Sequence, residues 1–270
     1  MKTLEDGSLL AENWLDLHEE LFSFPQFPDI GRHRSCFAYR GVDASEFHLE
    51  TSLMRIKNTS MEPNLLRNFK KYTRSELTRD HNEWELLAVA QHYGLPTRLL
   101  DWSFSPYVAL HFATSDMSRF KEDGAIWCLD VVEIRSLMPE SYREKLVNNS
   151  SFVFTVDLLS EVSPTIKEFD SSKKSHGDFV VCLEPPSIDD RIINQYAMFT
   201  VMTNPDVRLD EWLHNHPYLY KKIIIPADLK LEIRDKLDQA NVNERIIYPG
   251  LQGISAWLKR YYTNTELLKP

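Results

Sequence analysis

The chain has 270 residues, of which 43% are hydrophobic, 26% charged and 11% aromatic. This composition is typical of a folded globular protein, and it excludes a disordered, collagen-like or disulfide-scaffold chain. With 40 acidic and 31 basic residues the formal charge is −9, so any contact with nucleic acid or anionic lipid requires a local basic patch.

The cysteines and the apolar segments predict a cytoplasmic protein. Cys36, Cys128 and Cys182 are odd in number and widely spaced, which indicates reduced thiols rather than a disulfide framework or a zinc site. The first residues include acidic side chains and no continuous apolar stretch, so a signal peptide is not expected. No run of 18 apolar residues predicts a membrane span.

The first third of the sequence predicts a helix, a strand and a basic helix. Apolar residues recur every three or four positions over 9–24, which indicates an amphipathic helix ended by Pro25. Residues 36–39 predict a short strand that runs into Arg40 and Gly41, with a loop after them. Residues 62–79 predict a helix whose basic side chains form a solvated face.

The segment from Trp84 to Ser115 carries the most information. It begins with a strongly apolar helix that stops at Gly94, ahead of a proline. Residues 97–102 then predict a strand. Ser105 is the expected N-cap of the next helix, and Pro106 lies in its first turn.

The remaining elements alternate irregularly. Strands are predicted over 124–134, 177–185 and 221–226, and a β-rich run ends the segment 191–202. Helices are predicted over 227–240 and 251–261. Because the strands are too unevenly spaced for a βαβ series, we expect one compact α+β domain with helical decorations.

Familiar catalytic motifs do not occur in the sequence. There is no phosphate-binding GxxxxGK[ST], no GxGxxG, no HExxH and no GxSxG, which removes the usual support for the corresponding mechanisms. His214 and His216 lack a cysteine or carboxylate at ligand spacing, so we expect an exposed loop and no metal site.

Polar residues beside the apolar strands are the candidate site residues. Arg40 offers a donor fork for phosphate or carboxylate, and Gly41 would let a ligand approach the backbone, although a structural salt bridge also explains the arginine. Ser103 and Ser105 straddle Phe104. Their hydroxyls and the following helix N-terminus favour an anion, while plain helix capping is the alternative.

A second polar set surrounds the same predicted strand. Gln91, His92, Arg98 and Asp101 belong to it, and the last two are open to mutual pairing as a partly buried ion pair. Gln195 is a lone polar residue that enters an apolar strand. Either burial or function explains that glutamine.

Four segments together resemble the FRG-domain family. They are Tyr39-Arg40-Gly41, the block AQHYGLPTRLLDWSFSPYVALHFA, the run RIINQYAMF, and KKIIIPADLK with IIYPGLQGI. The resemblance spans roughly Phe37 to Leu258. The layout is similar to that of ADP-ribosyltransferases, where a first-strand arginine holds NAD, a Ser-x-Ser braces the nicotinamide pocket and a glutamate drives transfer.

The resemblance implies a fold and its boundaries. It implies a single ADP-ribosyltransferase-like domain with a mixed split β-sheet over residues 31–262. A helical extension over 1–30 precedes that domain, and a tail over 263–270 follows it.

The resemblance also implies residue roles. Arg40 and the Ser103–Ser105 element match the NAD-binding positions, and the implied cofactor-binding set is completed by Tyr39, Gly41, Arg98 and Trp102. Gln195 is placed at the reacting ribose, with Ala197 where the glutamate would stand. Because a glutamine accepts no proton, either His92 or Asp101 is the implied base, or the acceptor needs little deprotonation. The implied catalytic residues are therefore Arg40, Gln195, His92 and Asp101.

Members of this family are similar to toxins of bacterial anti-phage toxin–antitoxin systems. The resemblance therefore implies NAD as co-substrate, no metal, a cognate antitoxin, a SecB-like chaperone in some systems, and RNA as the favoured acceptor. The basic run from Arg67 to Arg79 is the expected contact for RNA phosphates. Two alternatives stay open: a non-catalytic module that senses a nucleotide or docks a partner, and an NAD glycohydrolase.

Overall fold

The structure is a computed structural model that describes residues 1–28, 31–73 and 82–264. In these ranges the strands are β1 Lys2–Thr3, β2 Leu9–Leu10, β3 Gln26–Phe27, β4 Arg32–His33, β5 Phe37–Val42, β6 Leu100–Ser103, β7 Gly124–Asp130, β8 Phe154–Thr155, β9 Val180–Glu184, β10 Ala197–Met202 and β11 Tyr220–Ile225.

The α-helices in the same ranges are α1 Trp14–Phe22, α2 Ser52–Arg55, α3 Glu62–Tyr72, α4 Glu83–His92, α5 Pro106–Ala113, α6 Glu140–Asn148, α7 Val156–Val162, α8 Ile166–His176, α9 Asp190–Gln195, α10 Leu209–His214, α11 Lys230–Gln239, α12 Glu244–Ile247 and α13 Leu251–Tyr261. None of the described helices is long and apolar enough to cross a membrane.

Among the described residues, nine strands form one sheet in the order β1-β2-β11-β7-β5-β6-β10-β9-β8. The pairs β2–β11 and β8–β9 are parallel and the others are antiparallel. β3 and β4 form a separate hairpin. The prediction of a mixed α and β architecture is thereby confirmed.

Helices cover both faces of this sheet. On one face Leu17 of α1, Leu110 of α5 and Ile233 of α11 pack in one buried cluster. A larger cluster contains Trp84 of α4 and Phe169 of α8 together with side chains of the other sheet face. Since side chains alternate along a strand, each apolar strand supplies both layers.

The joint between β5 and β6 is short. β5 pairs with β7 from Phe37 to Val42, and β6 pairs with β10 over its whole length. By contrast, Tyr39 and Ser103 form the one register pair between β5 and β6. The two halves of the sheet therefore meet at a narrow joint, and this joint positions the candidate site.

Gly41 is required by packing. A Cβ at this position would lie 1.8 Å from the backbone oxygen of Ala109 and 2.6 Å from the nitrogen of Ala113. Helix α5 therefore crosses directly over β5 at the glycine. Packing thus supplies a reason for the glycine that the sequence did not reveal, and the approach of a ligand to its backbone stays a prediction.

Several predicted elements differ in extent. The helix predicted over 9–24 begins only at Trp14, because Leu9 and Leu10 pair with β11 and Asn13 caps the helix. The strand predicted over 124–134 ends at Asp130, whose Oδ1 accepts hydrogen bonds from two following backbone nitrogens. Here a local polar side chain outcompetes the strand ladder.

The predicted strand over 97–102 is shifted to 100–103, and that over 177–185 is shortened to 180–184. Gln195 ends helix α9 and does not enter β10. The start of the basic helix is confirmed as α3, whereas Arg74 and Arg79 lie outside the described residues. The N-cap at Ser105 and Pro106 in the first turn are confirmed.

Candidate functional site

A cavity of about 260 Å³ opens where β5, β6 and β10 meet helices α4 and α9. The predicted site residues that line it are Tyr39, Arg40, Gly41, Gln91, His92, Asp101, Trp102, Ser103 and Gln195. Arg98 and Ser105 do not line it. The chain thus brings most of the predicted residues together across a span of more than 150 positions, as Arg40 and Gln195 show.

Arg40 is held in the narrow joint of the sheet. Its Nη1 donates to the backbone oxygen of Asp101 at 2.6 Å, while its buried Nε has no hydrogen-bond partner in the described part of the chain. Burial lowers the pKa of Arg40, and the Asp101 carboxylate opposes this shift. An incompletely satisfied guanidinium in a cavity is suited to an anionic ligand.

Arg191 supplies a second guanidinium to the cavity. It is exposed on the first turn of α9, and its Cζ lies 5.2 Å from the ring centroid of Tyr248. Within the described ranges, neither Arg191 nor Arg40 has a carboxylate oxygen within ion-pair distance. Two guanidinium groups, neither in a direct ion pair, therefore line one small space together with the single carboxylate of Asp101, and this arrangement suits a phosphate.

A hydrogen-bonded chain orients the carboxylate of Asp101. Thr97 Oγ1 donates to Gln91 Oε1 at 2.6 Å, and Gln91 Nε2 donates to Asp101 Oδ2 at 2.9 Å. Because the amide is fixed at both ends, the carboxylate has a defined orientation although Asp101 is exposed. It is the cavity group best placed to accept a proton.

His92 is already engaged by another side chain. Its Nε2 lies 2.7 Å from Oδ2 of Asp189, and the imidazole is 10% exposed. Asp189 also caps helix α9 through its other carboxylate oxygen. His92 therefore ties the end of α4 to the start of α9, which is a positioning contact across the cavity.

The two serines of the Ser-x-Ser element have separate roles. Ser103 Oγ donates to the backbone oxygen of Gln195 at 2.6 Å and accepts from the nitrogen of Ser105 at 2.9 Å. The hydroxyl of Ser105 caps helix α5 through the nitrogen of Val108. Ser103 thus braces Gln195 at the cavity wall, whereas Ser105 acts away from it.

Gln195 is fixed on both its main chain and its side chain. Its backbone oxygen accepts from Ser103, and its Nε2 donates to the backbone oxygen of Ile247 at 3.2 Å. Helix α12 therefore supports the end of α9 from behind the cavity. This contact joins residues 52 positions apart, so sequence patterns gave no sign of it.

Arg98 belongs to the core. Its Nε donates to Glu62 Oε2 at 2.6 Å, and its other nitrogens bind Asp170. Although burial opposes it, these carboxylates raise the pKa of Arg98. The pairing with Asp101 that the sequence left open does not form, because both carboxylate partners come from distant helices.

Tyr39 and Trp102 also contribute through packing. The Tyr39 ring is 2% exposed in the core, and its hydroxyl lies 2.8 Å from Ser35 Oγ. The indole of Trp102 is 3% exposed and donates to Thr200 Oγ1 at 3.0 Å. Both residues therefore shape the cavity wall more than they offer it polar groups.

Arg191 and Asp189 were missed from the sequence. Asp189-Asp190-Arg191 resembles an ordinary acidic helix start followed by a solvated cation, so the sequence gave no reason to single them out. Only the fold brings α9 to the cavity that β5 and β6 share.

The described residues give little support to a metal site or to a cysteine nucleophile. No group of three histidine, cysteine or acidic side chains among them could hold a metal ion. Burial raises the pKa of the Cys128 thiol, and it raises that of Cys182 to about 12. Such buried thiols are poor nucleophiles.

Residues 35–122 match the FRG domain. The FRG-matching segment contains β5, α4, β6 and α5, and therefore Arg40, His92, Asp101 and Ser103. Arg191 and Gln195 lie outside it. No curated protein matches the chain, and no solved structure does.

Proposed function

We propose that this chain is an NAD-dependent ADP-ribosyltransferase. The observation that carries the proposal is Arg40, a half-buried residue whose Nε has no hydrogen-bond partner among the described residues and which lines a cavity together with Arg191. A pyrophosphate supplies the two adjacent negative charges that such a pair attracts. The narrow joint between β5 and β6 also supports an ADP-ribosyltransferase-like sheet that splits at the site.

The size of the cavity limits how NAD binds. Small-molecule sites commonly measure ~300–1,000 Å³, and this cavity of about 260 Å³ is smaller. We expect one end of the dinucleotide to enter, with the remainder on the open side near Arg191. The phosphates would then bind at Arg40 and Arg191.

In the proposed reaction Asp101 and Gln195 have separate roles. The bond between ribose C1 and the nicotinamide nitrogen breaks, and nicotinamide leaves with the bonding electrons. A nucleophilic atom of the acceptor forms a new bond to the same carbon, and its proton passes to the Asp101 carboxylate. The amide of Gln195, held by Ile247, stabilises the positive ribose by hydrogen bonding.

The biological setting follows from the FRG resemblance. We expect a growth-arresting toxin of a phage-defence system in the cytoplasm, inhibited by a cognate antitoxin that a SecB-like chaperone accompanies in some systems. RNA is the favoured acceptor. Arg67 and Lys70 of α3 border a second cavity of about 500 Å³ and remain the predicted phosphate contacts.

Ala197 favours a second candidate function. It lines the cavity where a glutamate would stand in a typical transferase. Without that glutamate the acceptor is activated less well, so water competes with it as the nucleophile. The product of attack by water would be free ADP-ribose. A non-catalytic nucleotide-sensing or partner-docking module is the limiting case in which neither transfer nor hydrolysis occurs.

The test incubates the purified chain with NAD labelled in the adenylate half and with separate pools of cellular RNA, DNA and protein. We expect label in the RNA pool and nicotinamide in solution. Arg40→Ala and Arg40→Lys should both lose this label, because lysine keeps the charge but not the donor fork. Arg143→Ala is the matched control, since this exposed arginine donates to the backbone oxygen of Ser136 and does not line the cavity.

The outcomes separate the three functions. Label in a macromolecular pool supports the transferase. Nicotinamide release without label identifies a glycohydrolase. A folded parent protein that releases no nicotinamide contradicts both enzymes and favours the binding module.

A further inference from the structure

Tyr196 has an unusual backbone conformation beside the cavity. Its φ is 47° and its ψ is 52°, in the left-handed region that glycine and asparagine favour. Its neighbours Gln195 and Ala197 both line the cavity. Helices often end in such a residue, and Tyr196 ends α9 with its nitrogen donating to the backbone oxygens of Ile192 and Ile193. This turn fixes the direction in which the tyrosine leaves the helix, at a cost in free energy that glycine would not incur.

The tyrosine ring is presented to solvent on a fixed support. The residue is 61% exposed, and its ring centroid lies 5.2 Å from that of Phe104. The backbone oxygen of Tyr196 accepts from the nitrogen of Phe104 at 3.0 Å. The segment is thus pinned to the residue that follows Ser103, a further cavity residue.

The face of the Tyr196 ring that does not contact Phe104 is free to bind a ligand. An exposed aromatic ring held in a strained turn is a platform on which a flat, neutral group can stack. Arg191, on the helix that Tyr196 ends, lies over the Tyr248 ring and presents an exposed guanidinium at the cavity, which adds an attraction for phosphate. A ring and a cation together match a nucleotide, which has both a base and a phosphate.

We propose that Tyr196 is the stacking platform for a nucleobase of a single-stranded nucleic-acid acceptor. This inference rests on the proposed ADP-ribosyl transfer. NAD enters the cavity at Arg40, and the acceptor base stacks on Tyr196 at its edge. The ring takes no part in breaking the bond to nicotinamide.

The key variant is Tyr196→Gly, which removes the ring and relieves the left-handed backbone. It should therefore fold at least as well as the parent. Tyr196→Phe keeps the ring. Tyr218→Ala is the matched control, because Tyr218 is 60% exposed and, unlike Tyr196, has no sequence neighbour that lines the cavity.

Two measurements are made on each variant. The first is fluorescence anisotropy of labelled single-stranded RNA and DNA of one sequence, without NAD. The second compares label transfer to the better-binding strand with nicotinamide release into water. For Tyr196→Gly we expect affinity and transfer to fall about tenfold or more, with nicotinamide release within twofold of the parent.

Each other result overturns the platform. An unchanged affinity of Tyr196→Gly does so, as does an equal loss in Tyr218→Ala. A parallel loss of nicotinamide release would show that the ring serves NAD, and label transferred to protein but to neither strand would assign another acceptor. Because the anisotropy measurement needs no NAD, it tests the platform even if the parent protein does not turn over NAD.

Discussion

Tyr39 and Ser103 form the one register pair between β5 and β6 in the described part of the chain. Next to that pair the ladder does not continue, and the guanidinium of Arg40 donates to the backbone oxygen of Asp101 instead. A side chain thus replaces a strand contact. The sheet opens at this point, and the strand residues beside the opening line the candidate cavity.

Replacing Arg40 by methionine should separate stability from function. Methionine loses the hydrogen bond to the backbone oxygen of Asp101, but it also removes a charge that burial disfavours and an Nε without a partner among the described residues. Since these effects oppose each other, the free energy of unfolding should change by no more than about 1 kcal/mol. Urea unfolding followed by fluorescence measures this. A loss above ~2 kcal/mol would show instead that Arg40 is a structural residue.

Gly41→Ala should prevent stable folding. The new Cβ would meet the backbone of α5, and a helix cannot yield as a flexible side chain does, so we expect a loss of ~3 kcal/mol or more. Gly94→Ala is the control: its φ is 82° but no atom lies within 4 Å, which predicts a loss of only ~1 kcal/mol. Similar losses in the two variants would contradict the close crossing.

His111 should make the fold sensitive to acid. Burial first, and then Arg234, lower its pKa from 6.5 to about 3. Below pH 6.5 His111 is protonated in the unfolded chain, whereas in the folded chain it stays neutral until the pH is near 3. The contribution of neutral His111 to the free energy of unfolding is therefore complete above pH 6.5 and is lost as pH falls, by up to ~1.4 kcal/mol per pH unit.

The comparison is with His111→Gln, whose side-chain oxygen can still accept from Arg234 Nη1, as the imidazole does at 2.9 Å. The stability of the parent relative to this variant should shrink by ~2 to 3 kcal/mol between pH 7 and pH 4.5. The lowered pKa of Glu244 acts in both proteins and cancels. A constant difference across this range would refute the role of His111.

Arg98 should be needed for folding and not for catalysis. Arg98→Met leaves Glu62, which is 1% exposed, without its cation, and breaking such a buried pair costs ~3–5 kcal/mol. Glu62→Gln combined with Arg98→Met should recover part of that loss. Specific activity of the folded fraction measures the second claim, and an inactive but fully stable Arg98→Met would assign Arg98 to the site.

The sequence predicted what depends on neighbouring residues. The cap at Ser105, the stop of α4 before Gly94 and the strand that carries Arg40 all follow from local rules, and the structure has them. Arg98 was misjudged because its partners lie 36 and 72 positions away. The cavity contacts of Arg191 and the crossing at Gly41 likewise depend on how distant elements pack.

The helices between β7 and β9 were missed for a different reason. Residues 135–176 are polar and lack a strong apolar period, yet α6, α7 and α8 occur there. Their few apolar residues, such as Leu146, Leu159 and Phe169, are fully buried. Tertiary packing, rather than local propensity, stabilises these helices.

The central claim is that Arg40 makes this cavity an NAD-binding site. The most direct test is nicotinamide release from NAD by the purified chain, measured by chromatography for the parent, Arg40→Met and Arg143→Met. The account predicts release by the parent and Arg143→Met, and a loss of at least ~100-fold in Arg40→Met, because loss of the phosphate contact misplaces the ribose at the reacting centre. Equal release by all three proteins, or none by a folded parent, would contradict it.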